Sequence, residues 1–248
     1  MDPKSSLAGR TVLVTGGAHR VGAAISRRLG EKGARVLVHY HRSEAEAREL
    51  VLSLPAGGAC FTADLGQPDG PRSLLAACGA AGESPDAVVH SAASFLNRRF
   101  LETTAEEWDH TFGLNLRALF LLAQEFVRLR GSQGGDVVAI CDSGGLELWT
   151  GYLAHSVAKA AVIPLVKALA KAMAPAYRVN GVIPGPVLPP ADTGPEELAA
   201  IRERTLLKRL GSPDHVAQAV EFLLTCDYAT GSLVEVTGGA QLWRGKVG

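Results

Sequence analysis

The chain has 248 residues, with 25 basic and 25 acidic side chains, and 47% of its residues are hydrophobic. This is the composition of a globular protein, so a disordered or fibrous chain is excluded. The formal net charge of zero gives no electrostatic basis for nucleic acid or an anionic membrane as the main partner. The length suffices for one large α/β core.

The four cysteines form no Cys-x-x-Cys unit, and no group of His, Cys, Asp and Glu has the spacing of a metal site. The first ten residues are polar, and no uninterrupted apolar run of about 18 residues occurs. We therefore expect a soluble, cytoplasmic protein with reduced thiols, without a metal ion, a signal peptide or a membrane span.

Apolar, β-branched segments alternate with helical patterns along the whole chain. The strands are predicted at residues 11–15, 35–39, 59–63, 87–91, 136–141, 178–183 and 233–236. The helices are predicted at residues 20–32, 44–53, within 67–81, 108–130, 151–174 and 213–225. This alternation implies a parallel sheet buried on both faces. The predicted fold is a single-domain, doubly wound α/β Rossmann fold of about seven strands, with ligands at their carboxyl ends.

The first predicted strand leads directly into a glycine-rich turn, Thr15-Gly16-Gly17-Ala18-His19-Arg20-Val21-Gly22. Glycines let the backbone turn sharply, and the free N–H groups of the next helix attract a pyrophosphate. A plain strand-to-helix turn is the alternative. We predict a dinucleotide site here, and Arg20 adds a cation for the phosphates. The predicted contacts of the turn are Gly16, Arg20, Val21 and Gly22.

The second strand ends in a basic segment, His39-Tyr40-His41-Arg42-Ser43, without the acidic residue that NAD sites usually place there. An arginine, a histidine and a hydroxyl suit the 2′-phosphate of NADPH. We therefore predict NADPH rather than NADH, bound by His41, Arg42 and Ser43. A basic surface patch is the alternative, and Ser43 could also cap the following helix.

These segments resemble the short-chain dehydrogenase/reductase family, most closely its pteridine reductases, including the bacterial dihydrofolate and dihydromonapterin reductases. The resemblance spans about residues 9–242 and rests on the turn, the basic segment and four further motifs. These motifs are Ala63-Asp64-Leu65, Asn115-Leu116-Arg117-Ala118, Val179-Asn180-Gly181-Val182 and Thr237-Gly238-Gly239. The resemblance implies homotetramers that assemble through the helices at 108–130 and 151–174.

The resemblance also implies contacts that the residues alone do not reveal. Asp64 and Leu65 would lie at the adenine, and Ser94 and Phe95 beside the nicotinamide. Phe95 would stack on a pterin ring, although a core or lid phenylalanine is an equal alternative. The adenosine ribose would lie beside Ser91, Ala92 and Ala93. The carboxamide of the nicotinamide would lie beside Pro184, Gly185, Pro186 and Val187.

The family's catalytic pair is a tyrosine followed four residues later by a lysine, a spacing that places both on one helix face. Lys159 matches the lysine, but His155 stands at the tyrosine position. Tyr152 lies seven residues before Lys159, too far along the helix to replace it. Asn115 matches the family's active-site asparagine, which distorts its helix, although a locally satisfied mid-helix polar residue is the alternative.

His155 has two interpretations. It acts as the proton donor, or catalysis is lost and only NADPH binding remains. Lys159 would disfavour the imidazolium, whereas a nearby Asp142 would favour it. Asp142 stands where the family usually has a serine and the pteridine reductases an aspartate. It could also be a turn residue, and Ser143 could take the serine role if the strand register slips by one.

We predict an NADPH-dependent reductase of a pterin or dihydrofolate-like ring, with Asp142 and His155 supplying the proton and Lys159 holding the ribose. Phe95, Ser94 and Arg20 would contact the substrate. A reductase of a small carbonyl compound and a degenerate NADPH-binding subunit are the alternatives. The loops at 144–150 and 184–195 would cover the substrate. We regard His90 and His110 as structural.

Overall fold

The computed structural model describes residues 6–190 and 193–243. Its centre is one parallel sheet with the strand order β3-β2-β1-β4-β5-β6-β7. The strands are β1 (Thr11–Thr15), β2 (Arg35–Tyr40), β3 (Gly58–Thr62), β4 (Ala87–His90), β5 (Gly135–Ile140), β6 (Tyr177–Pro184) and β7 (Leu233–Val236). The predicted doubly wound α/β fold with seven strands is confirmed.

Helices cover both faces of the sheet. They are α1 (Arg20–Glu31), α2 (Glu44–Ser53), α3 (Gly70–Ala80), α4 (Ala105–Phe112), α5 (Ala118–Arg130), α6 (Gly144–Glu147), α7 (Leu153–Met173), α8 (Pro195–Glu203) and α9 (Pro213–Thr225). One core contains side chains of α1, α2 and α9, and the other contains side chains of α3, α5 and α7.

The pleat of the strands explains the two cores. Val12 and Val14 of β1 point into the first core, whereas Leu13 points into the second. Side chains alternate between the faces of a strand, so a strand buried on both faces must be apolar throughout. The continuous apolar runs of the sequence therefore follow from the parallel sheet.

The helical predictions need four corrections. The helix predicted at 108–130 begins earlier, at Ala105, and is interrupted by a wider, π-type segment, Gly113–Arg117. The loop predicted at 144–150 begins with the helical turn α6, and α8 was not predicted. The helix α7 begins at Leu153, so Tyr152 lies outside it.

The expectation of no membrane span stays a prediction, and one helix bears on it. Among the described residues, α7 is long and apolar enough by length and composition to cross a membrane. Its apolar residues Val162, Val166 and Leu169 are buried in the second core. Packing against the sheet therefore accounts for the composition of this helix.

Candidate active site

Every predicted site residue lies at the carboxyl edge of the sheet or on a segment that follows it. Because all strands are parallel, the ends of β1, β2, β4, β5 and β6 meet at this edge. The chain order reverses between β1 and β4, which are neighbours in the sheet. Such a reversal opens a crevice where doubly wound proteins bind ligands.

The turn between β1 and α1 is so tight that it leaves no room for a side chain at Gly16 or at Gly22. Gly16 has a φ of +62°, and a Cβ there would lie 2.9 Å from the Cα of Ala92. A Cβ on Gly22 would lie 2.1 Å from the carbonyl oxygen of Gly16. His19 precedes α1 as its N-cap residue, and its side chain makes no cap hydrogen bond. The first N–H groups of the helix are therefore free for an anion. This cradle fits a pyrophosphate.

Thr15 joins the glycine turn to the segment after β4, and the sequence analysis missed it. Its Oγ1 accepts hydrogen bonds from the N–H groups of Ser91 (3.1 Å) and Ala92 (3.2 Å). Its own proton therefore goes to Nδ1 of His90, 3.0 Å away. Burial lowers the pKa of His90 to about 3, so this histidine is neutral. A buried threonine ending a strand before a glycine turn was the available signal.

His39 joins the same turn to the end of β3. Its Nδ1 accepts from the N–H of Gly16 at 3.1 Å, and its Nε2 lies 3.1 Å from the carbonyl oxygen of Ala63. Nε2 must carry the proton, because a carbonyl only accepts. Burial lowers the pKa of His39 to about 4. This bridging role of His39 is not evident from the sequence.

The basic segment after β2 is open to solvent. His41 and Arg42 are exposed, and Nε2 of His41 lies 3.9 Å from Oδ2 of Asp64. Ser43 begins α2, but its hydroxyl makes no cap hydrogen bond, so it is available to a ligand. The side chain of Leu65 is buried in the second core, so its backbone is the part that an adenine could contact.

Arg20 reaches the loop that follows β6. Its Nη2 donates to the carbonyl oxygen of Leu188 at 2.8 Å. Its backbone φ of +49° lies in the left-handed region, which residues other than glycine rarely adopt. The side chain thus links the glycine turn to the 184–190 segment. In that segment, the side chain of Val187 packs in the first core rather than facing the edge.

Two of the predicted catalytic residues, Asn115 and His155, form a buried cluster around the backbone of Ser94. The carbonyl oxygen of Ser94 lies 2.9 Å from Nδ1 of His155 and 3.0 Å from Nδ2 of Asn115. The N–H of Ser94 donates to Oδ1 of Asn115 at 2.7 Å. Asn115 lies in the π-type segment, so the expected helix distortion is present. The wider turn lets the amide hold Ser94 from both sides.

The protonation of His155 follows from these contacts. Nδ1 lies 2.9 Å from the carbonyl oxygen of Ser94, an acceptor, and 3.3 Å from Nδ2 of Asn115, a donor, and the shorter contact to the carbonyl favours the tautomer with the proton on Nδ1. Nε2 is buried, and among the described residues it has no hydrogen-bond partner. It lies 3.5 Å from Oδ2 of Asp142, a half-exposed residue. Ser143 is fully buried, so Asp142 is the residue that faces His155.

Lys159 lies one turn after His155 on α7. Its Nζ donates to the carbonyl oxygen of Ile140 at 2.6 Å, at the end of β5. The side chain is almost fully buried, and burial lowers the pKa of Lys159. The ammonium is thereby held at the carboxyl edge of the sheet, where a ribose hydroxyl could reach it.

Three rings, Phe95, Trp149 and Tyr152, form what we call the aromatic cluster. Phe95 stacks on Tyr152, with ring centroids 4.2 Å apart and planes at 22°. Phe95 also packs edge-to-face against the ring of His155, with centroids 4.7 Å apart and planes at 90°. Tyr152 covers one face of the Phe95 ring. Because Phe95 is still 44% exposed, part of its ring remains open. No sequence pattern points to Trp149, and Tyr152 enters the sequence-based predictions only as a poor substitute for the catalytic tyrosine.

Comparisons with known proteins agree with this geometry. The model of the family described as enoyl-(acyl carrier protein) reductase matches residues 16–241. An NADPH-dependent aldehyde reductase-like protein of Arabidopsis thaliana is 29% identical, over 96% of each chain. The human (3R)-3-hydroxyacyl-CoA dehydrogenase is 32% identical, over 92% of this chain and 94% of its own.

A solved structure extends the likeness to three dimensions. The alternative dihydrofolate reductase FolM of Brucella canis, complexed with NADP, has a TM-score of 0.88 and 26% identity, over 97% of this chain and 98% of its own. The chain belongs to the short-chain dehydrogenase/reductase family. It is an NADP(H)-dependent oxidoreductase, in agreement with the basic segment that follows β2.

Proposed function

We propose that the protein reduces a C=N bond of a pterin or dihydrofolate-like ring with NADPH. The observation that carries this proposal is the His155–Asp142 pair beside the partly open ring of Phe95. A flat heterocycle can stack on such a ring. The FolM likeness supports a folate-like substrate. NADPH supplies the hydride, and the chain supplies binding, orientation and the proton.

We propose that His155 takes the place of the family's tyrosine. Ser94 fixes Nδ1 and so prevents the imidazole from turning, which leaves Nε2 to hold the mobile proton. Asp142 stabilises the imidazolium across 3.5 Å. Asn115 holds Ser94, and Lys159 binds the ribose of the cofactor. The ring nitrogen of the substrate receives the proton from Nε2.

For the cofactor, we propose the contacts that the sequence predicts. Arg42, His41 and Ser43 hold the 2′-phosphate, and the glycine turn with Arg20 holds the pyrophosphate. The backbone of Ser91, Ala92 and Ala93 borders the adenosine ribose. We also propose a cytoplasmic homotetramer.

The test is NADPH oxidation with dihydrobiopterin and dihydrofolate between about pH 4 and 8. Wild type is compared with His155→Ala and His155→Tyr. Turnover in wild type that falls by about 10²- to 10⁴-fold in the alanine variant supports a histidine acid. Activity that arises only in the tyrosine variant identifies a degenerate NADPH-binding subunit instead. Turnover of aldehydes but not pterins identifies a carbonyl reductase, the activity named for the Arabidopsis relative.

A further inference from the structure

Two carboxylates border the aromatic cluster. Asp142 follows β5, and its Oδ1 accepts from the N–H of Gly144 at 2.7 Å. Glu147 lies on α6, and its Oε2 accepts from Nε1 of Trp149 at 2.9 Å. Three π faces and two negative charges therefore lie together. Aromatic faces and carboxylates both attract a positive charge.

The basic groups near the cluster do not neutralise these carboxylates by direct contact. Lys159 bonds the carbonyl oxygen of Ile140. Arg98, which is paired with Tyr152 through the backbone, bonds Oε1 of Glu107 at 2.8 Å. Within residues 6–190 and 193–243, the one basic group within ion-pair distance of Asp142 is His155. The two carboxylates, set against the Lys159 ammonium that acts on Asp142 at longer range, leave one negative charge in excess at the site.

A second, independent observation is the orphaned nitrogen of His155. Nε2 is buried and has no hydrogen-bond partner in the described part of the chain. With its proton on Nδ1, the neutral ring presents a lone pair at Nε2. A buried polar atom of this kind needs a partner. The missing partner is a donor, such as the N–H of a protonated C=N group.

We propose that this site binds its substrate as a cation, a flat aromatic iminium whose N–H bonds Nε2 of His155. This inference rests on the proposed C=N reduction and adds the charge of the substrate. The aromatic cluster would contact the ring, and Asp142 would face the charge. Proton transfer from the imidazolium to the ring nitrogen would thus precede reduction.

The electron count agrees with a bound cation. The iminium carbon gains a C–H bond as the C–H bond of the reduced nicotinamide breaks. The π pair of C=N⁺ becomes the lone pair of the amine nitrogen, and the positive charge passes to the nicotinamide. No proton moves in this step. A fully positioned tyrosine acid is therefore unnecessary, which explains how a histidine suffices.

The test is binding to the NADPH-loaded protein, followed by tryptophan fluorescence and calorimetry. The probes are 4-aminoquinoline, which at about pH 8 carries a proton and a positive charge on its ring nitrogen, and 1-aminonaphthalene, its neutral isostere; carboxylates are ionised at this pH. We expect the cation to bind at least about tenfold more tightly. Asp142→Asn keeps the acceptor for Gly144 and should abolish the difference while binding of 1-aminonaphthalene persists, which also confirms that the variant is folded.

Asp227→Asn is the matched control. Asp227 is exposed in the turn after α9, next to Cys226, whose carbonyl bonds Arg178 at the amino end of β6. This places it at the opposite edge of the sheet, so the cation preference should persist. Equal binding of both probes to wild type, or a preference that survives Asp142→Asn, overturns the inference. Pterin turnover without cation preference leaves the proposed function intact, whereas cation preference without pterin turnover contradicts the proposed function alone.

Discussion

The two halves of the carboxyl edge use buried polar groups in opposite ways. At the glycine turn, both nitrogens of His39 are bonded to backbone atoms, and the Thr15 hydroxyl has three partners. At the substrate side, Nε2 of His155 has none within the described chain. A buried group with all its hydrogen bonds formed makes a rigid scaffold. Nε2 of His90 also lacks a partner in the described chain, but its ring contacts the scaffold residue Thr15, whereas His155 lies against the partly exposed ring of Phe95, where a ligand is expected.

This contrast separates binding from chemistry. The cofactor side must hold the same shape in every cycle, so the fully bonded side chains of His39 and Thr15 suit it. The substrate side must accept and release a proton, so its histidine keeps one nitrogen available beside Asp142. Perturbing the first side should cost stability and cofactor affinity, whereas perturbing the second should cost turnover.

The largest expected effect is at the glycine turn. In Gly22→Ala the new Cβ would lie 2.1 Å from the carbonyl oxygen of Gly16, so the backbone must shift. We expect a loss of about 3 kcal/mol in the free energy of unfolding, together with loss of NADPH binding. Urea unfolding and calorimetry measure both. The control is Gly194→Ala, which meets no atom within 4 Å. Similar losses in the two variants would contradict the tight turn.

A second test uses acid. Burial lowers the pKa of His39 to about 4, so between its ordinary value near 6.5 and about 4 the unfolded chain binds more protons than the folded one. Stability is therefore complete above about pH 6.5 and decreases as the pH falls, by up to about 3 kcal/mol for this group. Burial of His90 acts in the same direction.

Urea titrations at several pH values measure this slope. His39→Gln keeps a donor and an acceptor but cannot titrate, so its slope should be shallower than that of wild type. His110→Gln changes an exposed histidine and serves as the control. A slope unchanged by His39→Gln would mean that His39 is not the group that titrates.

The third test concerns the choice of cofactor. Arg42→Ala should weaken NADPH binding by about 10- to 100-fold, because a charge-assisted hydrogen bond contributes about 1.5–3 kcal/mol. NADH binding should not change. Calorimetry with both nucleotides measures the difference. Arg27→Ala, an exposed arginine on α1, is the control. Equal losses for NADPH and NADH would contradict the assignment of Arg42 to the 2′-phosphate.

The sequence predicts the scaffold well because burial on two faces leaves a simple pattern. All seven strands lie within about two residues of their predicted ends, since continuous apolar runs identify strands of a parallel sheet. The exposed helix α8 has no buried residue, and its pattern therefore gave no signal. The start of α7 was placed too early because Gly151 and Tyr152 continue its sequence without a strong cap.

The site is predictable only where local sequence determines it. Spacing and resemblance are enough to assign site roles to the glycine turn, Arg42, His155 and Lys159. The stacking of Tyr152 on Phe95 and the bond from His155 to Ser94 join residues about 60 positions apart. Such contacts depend on how α7 packs against the segment after β4, which no local pattern encodes. The same holds for the bridge that His39 makes to Ala63.

The smallest expected effect is at Arg20, where two substitutions separate backbone strain from NADPH affinity. Arg20 holds a φ of +49°, a conformation that costs a side chain about 1 kcal/mol and glycine almost nothing. Arg20→Gly should therefore be more stable than Arg20→Ala by about 1 kcal/mol, less the greater freedom of glycine in the unfolded chain. Both variants lose the guanidinium, so both should lose the same NADPH affinity. An Arg20→Gly variant that is less stable than Arg20→Ala by about 0.5–1 kcal/mol, as at an unstrained position, would show that the turn is not strained, whereas unequal NADPH affinities would show that its shape, and not only its charge, holds the pyrophosphate.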